Sequence, residues 1–162
     1  LFRSSRVPEA NCIVKKELWN NPIMKGPVVN TGYISNGDSE KMINDCVSFL
    51  KSGGGLIIFP EGTRSVPGKE YVFKRGAARI ALAANGSGTP VVIDCNPSTL
   101  TKAERWYQIP SSRAHLSMRV KDDIDISDFL KMEYRTIAVR RFNKYLVDFF
   151  SKQCGVDNQH GK

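Results

Sequence analysis

Residues 38–65 constrain the fold most. Met42, Ile43, Cys46, Val47 and Leu50 recur at helical spacing, with Asp38 or Ser39 placed to cap the helix. Ser52 and three successive glycines, Gly53 to Gly55, stop it, and Leu56-Ile57-Ile58-Phe59 follows as an uninterrupted apolar run. Such a run, too short for a core helix, reads as a buried strand. A helix, a glycine stop and an apolar strand form one unit of an α/β domain. The expected architecture is a mixed, largely parallel sheet flanked by helices.

The rest of the chain extends this pattern. Cys12 to Lys15 reads as a strand, Asn21-Pro22 as the opening of a short helical stretch, and Val28, Val29, Tyr33 and Ile34 as an extended segment ending at the turn Ser35-Asn36-Gly37. Phe73 to Ala84 predicts a helix with a small face of alanines, ended by Gly86 and Gly88. Pro90 to Ile93 and the alternating His115 to Val120 read as strands, and Ser127 as the cap of a short turn around Phe129. From Tyr134 onward, Ala138, Phe142, Tyr145, Leu146, Phe149 and Phe150 mark an amphipathic helix, read as a core-packing face in preference to a membrane-surface one. These boundaries predict one domain over residues 1–153 and a flexible tail over 154–162.

Charge narrows the partners. The net charge is +8, and residues 61–121 hold ten basic groups against four acidic ones. A positive field of this kind draws phosphates, whether of nucleic acid, of lipid headgroups or of a small substrate. Nucleic-acid binding calls for basic residues interleaved with exposed aromatics, and Arg105-Trp106-Tyr107 is the only such cluster, so no nucleic-acid partner is expected. Cys12, Cys46, Cys95 and Cys154 are too dispersed for a metal site and read as reduced thiols. No apolar run approaches the roughly 18 residues of a membrane span, and no charged-then-apolar leader follows Leu1.

The segment Phe59-Pro60-Glu61-Gly62-Thr63-Arg64-Ser65 leaves the end of the buried strand, where α/β sheets bind ligands. Gly62 permits close backbone approach, and Arg64 offers a planar fork for phosphate oxygens. Glu61 is placed to orient Arg64 or to accept a hydrogen bond from a substrate hydroxyl. The same residues also fit a polar turn with a surface ion pair.

Phe59 to Ser65 is, letter for letter, a signature block of the glycerophospholipid (lysophosphatidic acid) acyltransferases, and the chain resembles that family beyond it. Val14-Lys15-Lys16-Glu17-Leu18, Gly32-Tyr33-Ile34, Phe73-Lys74-Arg75-Gly76-Ala77 and Thr89-Pro90-Val91-Val92 fall in the family's order over roughly residues 12–95. The resemblance implies transfer of an acyl group from a thioester, coenzyme A or acyl carrier protein, to the free hydroxyl of a lysophospholipid such as 1-acylglycerol-3-phosphate. No cofactor beyond that co-substrate is implied. Glu61, Gly62, Thr63 and Arg64 would contact the acceptor, with Arg64 on its phosphate and Lys15 nearby; Lys74 and Arg75 would extend the positive field to bilayer phosphates. The implied setting is the cytosolic face of a membrane, against anionic lipid.

The family's His-x-x-x-x-Asp motif is not in this sequence: the residue five beyond His115 is Val120, and nothing stands five beyond His160. Its place in the family's order precedes the strand at Cys12. The expectation is a chain that starts after the motif, holds no catalytic residue and is inactive alone; the alternative is a non-catalytic anionic-lipid or phosphate-binding module derived from the family. A second departure is Asp38, which stands where the family carries an Arg for the acceptor phosphate. Asp38 reads as a helix cap, and the acceptor headgroup stays open.

Overall fold

The computed structural model describes residues 10–23, 25–62, 70–99, 104, 110 and 112–155, with the backbone alone at 18 and 19. The chain forms two compact units, Leu1–Phe59 with Gly76–Gly86, and Pro60–Arg75 with Ser87–Lys162.

The first unit contains β1 (Ala10–Val14), α1 (Lys16–Asn20), α2 (Lys25–Asn30), β2 (Ile34–Ser35), α3 (Ser39–Lys51), β3 (Gly55–Ile57) and α4 (Gly76–Ala84). Its sheet has the order β2-β1-β3 and is parallel throughout, with Ile13 opposite Ile34 and Cys12 opposite Ile57. Asn11 fixes the edge strand: its Nδ2 donates to the Gly32 carbonyl at 2.9 Å, while its Oδ1 accepts from the Cys12 amide. The core joins Ile34, Ile43, Cys46 and Ile80, with Ile13, Leu50 and Leu56 packed around them. Burial pushes the Cys46 thiol up to about 11, with the charge of Asp45 adding to the effect.

Helix α3 begins and ends where its sequence predicts. Asp38 Oδ1 accepts from the amides of Glu40 and Lys41 at 2.9 and 3.0 Å, satisfying two of the donors that a helix start leaves open. At the other end Gly53 turns left-handed at φ 92°, and the Gly54 amide bonds back to the Phe49 carbonyl. Between α3 and α4, Arg79 Nη2 reaches Glu40 Oε1 at 2.6 Å.

Two expectations for this unit change. Val28 and Val29 lie in α2 and not in an extended segment: the Thr31 amide bonds to the Pro27 carbonyl, and Val28 is 2% exposed. Pro27 falls in the first helical turn, where its missing donor costs nothing. Helix α4 starts at Gly76 and not at Phe73, because the Lys74 amide is bonded to the Pro60 carbonyl at 2.8 Å. Its end falls to Asn85, which takes φ 53°, so the left-handed position belongs to that asparagine and not to a glycine.

The second unit contains β4 (Val91–Asn96), β5 (His115–Val120), α5 (Ser127–Leu130) and α6 (Arg135–Gln153). β4 and β5 pair antiparallel from Val91–Val120 to Asn96–His115, and Asp94 and Arg119 form an ion pair at 2.7 Å. On one face of this ribbon Val92 is fully buried. On the other, Ile93, Leu116, Met118 and Val120 are exposed. Helix α6 buries Ala138, Val139, Phe142 and Leu146, the core-packing face its periodicity predicts, while Tyr145 stays 42% exposed. Its aromatic rings meet Phe129 of α5 (5.0 Å from Phe142) and Phe73 (5.7 Å from Phe150). Ser127 does not cap α5 but is its first residue, the cap position falling to Ile126; the Asp125 carboxyl accepts from the Ser127 amide and hydroxyl and is held below the usual carboxylate range by those bonds.

Among the described residues, no helix is long and apolar enough to cross a membrane.

Candidate functional site

In the first unit two parallel strands deliver their loops to the carboxyl edge of the sheet, the edge at which α/β folds bind ligands. Strand β1 runs directly into Lys15 and Lys16, and β2 into Asn36-Gly37-Asp38. These two loops are tied together, since the Asn36 amide donates to the Val14 carbonyl at 3.0 Å and Asn36 Oδ1 accepts from the Lys16 amide at 2.9 Å. Beside them a cleft of about 780 Å³ is lined by Tyr33, Asp38, Asp45, Lys16 and Lys41, among others. Asp38 therefore brings negative charge to this cleft, and its carboxylate is already engaged as the cap of α3.

Strand β3 leads out through Phe59, 56% exposed, to the turn at Pro60-Glu61-Gly62 in the second unit. Gly62 has φ 65°, a left-handed conformation that side chains seldom adopt. The chain returns along this turn at Tyr71 to Lys74, pinned by the Lys74–Pro60 backbone bond. The Lys74 stem crosses Gly62 so closely that a β-carbon there would stand 3.0 Å from Lys74 Cδ and 3.4 Å from its Nζ. Tyr71 completes the cluster. Burial chiefly, then a hydrogen bond with the Cys154 thiol and the charges of Glu61 and Asp94, raise its hydroxyl well above the ordinary tyrosine range. That hydroxyl is a proton-bearing group at any physiological pH.

This strand-end turn combines a left-handed glycine, an acidic residue and an overlying lysine, and comparison with known proteins gives the chain a family. The model of the family described as Acyltransferase matches residues 2–94. The chain belongs to the acyltransferase family. No curated protein matches the chain. Among solved structures it is similar to the 1-acyl-sn-glycerophosphate (LPA) acyltransferase PlsC from Thermotoga maritima, with a TM-score of 0.62 and 20% identity over 95% of the present chain. The two share a fold. The present chain spans 58% of the length of that PlsC chain.

The residues expected to form the site are distributed as follows. Lys15 follows β1 in the first unit; Glu61 and Gly62 form the turn in the second. Thr63 and Arg64 lie outside the described residues, as do Arg105, Trp106, Tyr107 and His160. Sequence reasoning placed Lys74 on the bilayer side and did not connect it with Gly62, because a contact across twelve residues leaves no local pattern. Tyr71 carried no motif signal at all.

Proposed function

We propose that this acyltransferase transfers an acyl group from acyl-coenzyme A or acyl carrier protein to the free hydroxyl of a lysophospholipid, 1-acylglycerol-3-phosphate being the model acceptor. The observation that carries the reading is the Phe59–Gly62 exit from a parallel strand, within a family match that covers most of the sheet. In this chemistry the acceptor oxygen attacks the thioester carbonyl, a C–O bond replaces the C–S bond, and the hydroxyl proton passes through a general base to the departing thiolate. The base and its carboxylate partner are assigned to a His-x-x-x-x-Asp segment upstream of these residues. Glu61, Gly62, Thr63, Arg64 and Lys15 are assigned to the acceptor, with Arg64 on its phosphate. The reaction is assigned to the cytosolic face of a membrane, where the basic surface meets anionic lipid.

The test is acyl transfer from radiolabelled acyl-coenzyme A to lysophosphatidate by the complete protein and by the 162-residue chain. Transfer is expected from the first and not from the second. In the complete protein Arg64→Ala should raise the acceptor KM about tenfold or more, the loss of one charge-assisted phosphate contact. A complete protein that binds lysolipid vesicles without turnover would instead establish a binding module.

A further inference from the structure

The segment that returns along the Pro60-Glu61-Gly62 turn is backed by helix α6. Asn143 and Phe150 of that helix and Cys154 at its end are spaced i, i+7 and i+11, so they fall on one face. Each meets the returning segment. The Cys154 thiol shares a hydrogen bond with the Tyr71 hydroxyl, the Phe150 ring stands edge-on to Phe73 at 5.7 Å, and Asn143 Nδ2 donates to the Phe73 carbonyl at 3.3 Å. That carbonyl and the Lys74 amide belong to one peptide group, and the amide donates to the Pro60 carbonyl at 2.8 Å. A peptide group is planar and stiff, so bonds at its oxygen and at its nitrogen hold one rigid plate from both ends. Hydrogen bonds in such a chain also polarise one another.

We propose that Asn143 is a positioning residue of the acceptor site, setting the Pro60-Glu61-Gly62 turn through the Phe73–Lys74 peptide group. That the turn serves the acceptor rests on the acyltransferase reading; the positioning itself does not. A second observation sets this amide apart. Asn143 Oδ1 is buried and takes no hydrogen bond among the described residues. A buried acceptor without a donor is destabilising, and a leucine of similar volume would avoid it. Turning the amide over brings no relief, because Oδ1 would then face the Phe73 carbonyl, acceptor against acceptor. The oxygen therefore works against stability while the nitrogen makes the one bond that leads to the turn. The same plate carries the Lys74 stem, whose Cδ stands 3.0 Å from where a β-carbon on Gly62 would lie, so tilting it moves backbone and stem together.

Amide hydrogen exchange and chemical shifts of the 162-residue chain test the link. Asn143→Leu removes the donor and the orphaned oxygen together; Asn143→Asp keeps the shape and replaces the donor nitrogen by an acceptor. In both, the Lys74 amide should exchange about fivefold faster, the scale of one hydrogen bond, with shifts at Glu61 and Gly62, while β4, β5 and the rest of α6 keep their protection. The urea midpoint of Asn143→Leu should stay close to that of the natural chain, because the orphaned oxygen goes with the lost bond. In the complete protein both variants should raise the acceptor KM about fivefold and leave the acyl-donor KM within about twofold. Unchanged exchange at Lys74 would overturn the proposal. Protection lost evenly over β4, β5 and α6, or equal rises in both KM values, would overturn it as well by marking a merely structural role. Should the complete protein transfer no acyl group while Lys74 exchange still answers to both substitutions, the acyltransferase reading fails and the positioning of the turn stands.

Discussion

Gly62 shows how one missing side chain serves both a left-handed turn and the close passage of the Lys74 stem. Placing Ala there forces an L-residue into the left-handed region, at a cost of about 1–2 kcal/mol, and pushes the Lys74 stem aside by a few tenths of an ångström. Asn tolerates that backbone better than Ala but still brings a β-carbon. Gly62→Asn should therefore lose less stability in urea denaturation than Gly62→Ala, while both disturb acceptor binding. Cys46 gives a second test at this scale. Its folded thiol holds the proton up to about 11, whereas a thiol in the unfolded chain releases it near 9. The raised value contributes stability that is fully present below pH 9 and is lost as pH rises from 9 to 11. Between pH 8 and pH 10.5 the urea midpoint should fall more for the natural protein than for Cys46→Ala.

Elements were legible in proportion to their length and self-sufficiency. Helices α3 and α6 carry their apolar period over three or more turns, and β5 alternates over six residues, so each appears where the sequence places it. Helix α2 has six residues, too few for a period, and its two valines favour the extended reading by composition alone. The start of α4 was misjudged for another reason: the Lys74 amide is taken by Pro60, fourteen residues earlier, and no local propensity records such a bond. The site follows the same rule, for Glu61 and Gly62 stood out as a contiguous motif whereas Tyr71 and Lys74 join them only through folding. Asp38 tests the element scale directly. Asp38→Ala removes both capping bonds of α3 and should cost about 1 kcal/mol by urea denaturation. Asp38→Arg, which restores the family's residue type, should lose the cap as well and be no more stable than Asp38→Ala.

At the scale of the whole molecule the net charge of +8 is the governing quantity. A surface of this kind should hold the chain on vesicles containing anionic lipid and not on neutral ones. Because the attraction is Coulombic, the bound fraction should fall steeply between 50 and 500 mM salt, over which the Debye length shrinks from about 14 to about 4 Å. Vesicle sedimentation at the two salt concentrations checks this. Binding insensitive to salt would point instead to the exposed apolar residues Leu116, Met118 and Val120 as the contact.

The parallel sheet also dictates a timetable. Its central strand, β1, is the first of the described strands to be made, yet the partner that flanks it at Ala10↔Gly55 is synthesised 45 residues later. At translation speeds of about 5–20 residues per second, β1 waits roughly 2–9 s with one backbone edge unsatisfied. The strand is five residues long and is followed at once by Lys15 and Lys16. Two like charges at the end of so short an apolar strand discourage copies on neighbouring ribosomes from pairing with each other. The lysines that follow β1 in the folded chain thus also guard the nascent chain before the sheet exists.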